Sequence, residues 1–154
     1  MERDDTVDTL NDLIETSKDG EFGFRTAAEC VRSDETKQLF MRRADACQRA
    51  SEELTALVVE YGGIAEVSGT AGGAMHRGWI TLKSKLASYP DKVILEETER
   101  GEDTAMAHYR RALEKLLPDA VRAVIERQYE GVKRNHQQVR TLRDQARAEV
   151  AAGH

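Results

Sequence analysis

Asp91–Leu117, DKVILEETERGEDTAMAHYRRALEKLL, decides how this chain is read. Leu95, Thr98, Glu102, Ala105, Tyr109, Ala112 and Leu116 recur at alternating steps of three and four, the spacing of one face of an α-helix. Asp91 is positioned as an N-cap and Pro118 closes the pattern, so one long helix is predicted over 91–117. The seam places Glu102 on the buried side. A carboxylate among apolar neighbours costs several kcal/mol unless a cation, a metal or a shared proton compensates it. Glu102 is therefore the first candidate functional residue.

The rest of the chain reads the same way. Val7, Leu10, Ile14, Ser17, Glu21, Phe24, Ala28 and Val31 form a seam widened by Leu13, Phe22 and Ala27, which predicts a helix over 6–32. Ser33 is a good N-cap for a second helix over 34–61, with Asp34 and Glu35 in its first turn and Gly62 and Gly63 as its stop. The link is so short that these helices must be antiparallel neighbours. Residues 62–90 form a crossover: a small-residue stretch, GGIAEVSGTAGGAM, then a short helix carrying Trp79, Leu82 and Leu86. Trp79 reads as its anchor, and His76 and Arg77 as cap or surface residues. A fourth helix is predicted over 118–147, with Pro118 in its first turn.

Composition agrees. The 154 residues suit one domain, with 40% apolar, 33% charged and only 5% aromatic residues and two prolines, an all-helical balance. A net charge of −5 gives no cationic surplus for a phosphate backbone, so nucleic acid is not an expected partner. No apolar run is long enough to cross a membrane and the N-terminus is acidic, so a soluble, cytoplasmic protein is expected.

Counting from the turns gives depth. Glu21 lies twelve residues before Ser33 and Asp45 twelve after it; Glu102 lies eleven after Asp91, and His136 eleven before Arg147. In a bundle with one long crossover these ends meet, so Glu21, Asp45, Glu102 and His136 share a layer, with Glu99 one turn from Glu102. Gly20, Gly23, Gly101 and Gly131 fall mid-helix, where each costs up to about 1 kcal/mol against alanine; close helix approach or a local bulge would explain them. Cys30 and Cys47 are offset by about 16 Å along the hairpin, too far for a disulfide, so two free thiols are expected.

Two helical hairpins joined by a long crossover, with acids in the central layer, resemble the ferritin-like superfamily. More closely, LIETSKDGEFGFRTAAE at Leu13–Glu29, HRGW at His76–Trp79 and ILEETERGED at Ile94–Asp103 resemble an uncharacterised bacterial ferritin-like four-helix-bundle family, a domain of unknown function. The resemblance implies an all-α fold but no established activity. Di-iron members of the superfamily take a Glu from the first and third helices and Glu-x-x-His from the second and fourth. Glu21 and Glu102 match the single glutamates. The rest departs: Asp45 is followed by Gln48, and Lys133 precedes His136.

Three arrangements remain open for the central acids. A single Fe(II), Mn(II) or Zn(II) ion could be held by a set drawn from Glu21, Asp45, Glu99, Glu102 and His136. An Arg43–Glu21–Glu102 ion network could satisfy them without metal. A small-ligand pocket is the third. The corresponding functions are a metal-binding or redox protein, and a non-catalytic helical protein acting through a partner or as a homo-oligomer, dimer or larger. No spacing suggests nucleophilic catalysis and no Gly-rich phosphate loop precedes a helix.

Overall fold

The computed structural model describes residues 2–65 and 81–153. Four long helices account for most of them: α1 (Glu2–Cys30), α2 (Asp34–Glu60), α3 (Asp91–Leu113) and α4 (Asp119–Ala152). Residues 81–86 add a helical turn and a half at the end of the crossover. Trp79, His76 and Arg77, the crossover residues singled out in the sequence, lie outside the described residues.

The hairpins form for local reasons. Ser33 is extended and its side chain accepts from the Thr36 amide, capping α2, while Asp34 and Glu35 sit against the positive end of the helix. At the other end Gly62 takes φ 75°, which only glycine adopts without strain, and the Gly62 and Gly63 amides donate to the Val59 and Val58 carbonyls. A Cβ on Gly63 would stand 2.6 Å from Val7 Cγ1, so this stop also presses against α1.

Asp91 differs from its expected role. Pro90 is the N-cap residue of α3, and the Asp91 carboxylate instead accepts from the amides of Arg32 (2.8 Å) and Ser33 (2.9 Å). It thus ties the start of α3 to the α1–α2 turn and fixes which ends of the two hairpins meet.

Helix ends shift for physical reasons too. α3 stops at Leu113, short of 117, because Glu114 and Lys115 close the helix with turn hydrogen bonds before Pro118. Leu116 is consequently exposed rather than on the seam, and Phe22 also points largely outward. α4 continues past 147 to Ala152.

α1 packs along α2, and α3 along α4; α1 also meets α3, whereas α2 meets α4 over only a short stretch. The core divides in two. One apolar cluster gathers Phe24, Val31, Phe40, Leu86, Leu95 and Val139 at the end with the α1–α2 turn; the other gathers Leu10, Ile14, Leu54, Val58, Val121 and Ile125 at the opposite end. Between them lies the polar layer that the acids occupy. Among the described residues no helix is long and apolar enough to cross a membrane.

A candidate site in the central layer

Depth counted along the helices holds in three dimensions, but the side-chain partners differ from those expected. Arg43 of α2 reaches through the bundle to α3, its Nε 3.3 Å from Glu102 Oε2, and both side chains are buried. The guanidinium also lies over the Phe24 ring, 5.3 Å from its centroid. Glu102 Oε1 is buried with no hydrogen-bond partner. Burial raises the Glu102 carboxyl to about 7, against the opposing pull of Arg43, with Asp103 and Glu99 adding a smaller push upward.

Glu21 does not join that pair. Arg25, one turn along α1, takes its carboxylate through Nε and Nη2 at 3.1 and 3.0 Å and extends to Asp45 and Gln48 on α2. Asp45 is exposed there. The expected Arg43–Glu21–Glu102 network is therefore split into two, because Arg25 lies one helical turn from Glu21 on the same face. A third group forms between α3 and α4: Arg143 binds Glu99, Arg140 Nε lies 3.6 Å from it, and His136 Nε2 is 2.7 Å from Asp103 Oδ1 and 3.9 Å from Glu99.

The five candidate ligands thus share a level but not a centre. Glu21 and Asp45 face Arg25, Glu99 and His136 face the α3–α4 seam, and Glu102 faces Arg43. Among the described residues no three of His, Cys, Asp or Glu converge as a metal ion requires. Glu21 is held by Arg25 and Glu102 by Arg43 through one oxygen, and Gln48 and Lys133 stand where the di-iron pattern needs His and Glu, so these residues do not fit a metal pair.

The same level of the bundle holds a cavity that opens to the surface, since exposed Asp19, Arg49, Thr104 and Arg127 are among its lining residues. The cavity, of about 1170 Å³, reaches all four helices and is also lined by Arg43, Cys47, Glu102, Tyr109 and the mid-helix glycines Gly20, Gly23, Gly101 and Gly131. Close helix approach explains only part of the glycine pattern. A Cβ on Gly20 would sit 2.9 Å from Cys47 Sγ, but one on Gly101 would meet nothing within 4 Å, and one on Gly131 only its own helix's Arg134 at 3.8 Å. Gly101 lines the opening at an exposed position, whereas at the half-buried Gly131 the missing side chain leaves room along the cavity wall.

Further polar groups line the same space. Thr16 Oγ1 lies 3.0 Å from the Asp12 carbonyl and 2.8 Å from His108 Nδ1, so the hydroxyl bridges its own helix to the imidazole on α3. Tyr109 donates to Gln128 at 2.9 Å, and Gln128 donates to Glu53 at 2.8 Å. Burial pushes the Tyr109 hydroxyl up to about 12, which leaves it a neutral donor. Tyr109 and Gln128 both lie at inward-facing seam positions read from the sequence, though their pairing was not; His108, one residue off the seam, carried no such signal. Cys30 and Cys47 are free thiols, and burial raises Cys47 above the ordinary thiol range.

These features define a ferritin-like four-helix bundle. The fold matches a crystal structure of a two-domain protein containing DJ-1/ThiJ/PfpI-like and ferritin-like domains from Anabaena variabilis, with a TM-score of 0.75 at 14% identity over 95% of this chain. This chain spans 41% of that protein. Residues 5–115 match the family described as a domain of unknown function, DUF2383, and the chain belongs to that family. No curated protein matches the sequence.

Proposed function

We propose that this protein binds a small organic molecule in the central cavity of its bundle, the acids there being held by arginines rather than by a metal. The single observation that carries this reading is the cavity of about 1170 Å³ itself, at whose wall a Cβ on the half-buried Gly131 would meet only Arg134, at 3.8 Å. Ordinary cores close to crystal-like density, and a mid-helix glycine facing open space costs helix stability without improving packing. Both costs are accounted for if the volume is used. It slightly exceeds the ~300–1,000 Å³ of sites that hold drug-sized ligands, and its lining combines apolar walls with a few fixed polar groups. The central pair supports the same reading: Arg43 hydrogen-bonds Glu102, and burial favours its protonated form, so the acid is accommodated without a metal.

The test is titration of the full chain with a neutral naphthylamine fluorophore. Saturable binding near one per chain is expected, lost when Gly101→Leu and Gly131→Leu fill the space, with melting temperature retained. Absence of saturable binding, or binding unchanged by both substitutions, would refute the pocket.

A further inference from the structure

The cavity is not electrically uniform. Where it reaches the groove between α2 and α4 its lining includes Arg49, Arg127 and Arg134 against one carboxylate, Glu53. Arg127 is bound by Glu53. Among the described residues Arg49 and Arg134 have no hydrogen-bond or ion-pair partner, and both are exposed as well as lining the cavity, so they stand at its mouth. Arg134 folds back along α4 until its Nη2 lies 3.8 Å from where a Cβ on Gly131 would stand, so both residues line the same part of the cavity wall.

Register puts the two arginines together. The Glu53–Arg127 contact aligns antiparallel helices; Arg49 lies four residues before Glu53 and Arg134 seven after Arg127. Both displacements run the same way along the groove, by about 6 and 10 Å, a difference smaller than the reach of an arginine side chain. Ala46 and Ala50 line the cavity on the α2 side, small residues that leave the opening wide where α2 and α4 meet only briefly.

A free guanidinium offers five N–H donors in a planar fork matched to carboxylate and phosphate oxygens. The interior suits no second anion, since Arg43 is committed to Glu102, and the net charge of −5 disfavours a polyanion. We infer that the pocket takes a single amphiphile, its apolar body inside the bundle and a carboxylate or phosphate head held at the mouth by Arg49 and Arg134. This rests on the pocket reading above.

The experiment displaces the neutral fluorophore from the full chain at low salt with dodecanoate, dodecyl phosphate and dodecanol, for the wild type and for Arg49→Gln/Arg134→Gln. At least one anion should bind about tenfold or more tightly than dodecanol, since charge-assisted hydrogen bonds are the strong ones. The larger gain identifies the head as carboxylate or phosphate. In the double variant, whose exposed substitutions should leave melting unchanged, the affinities should converge. Equal affinities in the wild type would overturn the head site while leaving the pocket standing. A preference that survives the double substitution would overturn its assignment to these arginines. If neither fluorophore nor dodecanol binds, the pocket fails and the head site with it.

Discussion

Replacing Glu102 by Gln should stabilise the protein at alkaline pH, and the size of the effect follows from where the carboxyl sits. Its folded value of about 7, against the ordinary 4.5, means that the native bundle prefers the protonated acid. A group whose value is raised on folding contributes stability that is fully present below its unfolded value and is lost as pH rises through the folded one. Here the loss runs from about pH 4.5 to about pH 7. At about 1.4 kcal/mol per pH unit it amounts to about 3 kcal/mol. Gln keeps the shape of the protonated acid and cannot ionise. Urea unfolding of wild type and Glu102→Gln should therefore coincide near pH 4 and separate progressively, the variant being the more stable by about 3 kcal/mol at pH 8. The pull of Arg43 is already contained in the raised value, so the lost ion pair is not a further penalty. A variant that is less stable than wild type by a constant amount at every pH would refute this, because it would mean that the ionised pair is the favoured native state.

Three other outcomes follow. Arg43→Met removes the only cation paired with Glu102 among the described residues and should cost about 3–5 kcal/mol at pH 8, less at pH 5, measured by the same unfolding curves. Gly101→Ala should stabilise by up to about 1 kcal/mol, since the new Cβ meets nothing within 4 Å, whereas Gly20→Ala should lose that gain or destabilise because it meets Cys47 Sγ at 2.9 Å; thermal melts distinguish them. Asp91→Ala strips the acceptor from the Arg32 and Ser33 amides and should cost about 1–2 kcal/mol, with faster hydrogen exchange at those two amides.

Much of this was legible in the sequence because it is one-dimensional. Ser33 and Gly62 mark ends by backbone chemistry that depends on neighbours in the chain, and depth within a hairpin can be counted from its turn. The Arg25 contacts with Glu21 and Asp45, and the Arg43 contact with Glu102, occur at the levels that counting gives. Azimuth was harder. A step of three or four residues defines a face about a third of the helix wide, which does not decide whether Glu21 turns to Arg43 or to Arg25. Leu116 failed for a different reason: apolar spacing persists past the point where Pro118 prevents the helix from continuing. The cavity was the least legible feature, because empty volume is set by how far four helices stand apart. Glycine spacing reports only that side chains are missing, and the same residue type serves close contact at Gly20 and open space at Gly101.

The most direct measurement is a crystal structure of the full chain soaked with an iodinated naphthyl compound, located by its anomalous signal. The expected result is one strong iodine peak inside the bundle between Gly101, Gly131 and Arg43, with Glu102 still on Arg43. Iodine found only on the outer surface, or a metal ion coordinated by Glu102 and His136 at the centre, would contradict the ligand-binding cavity.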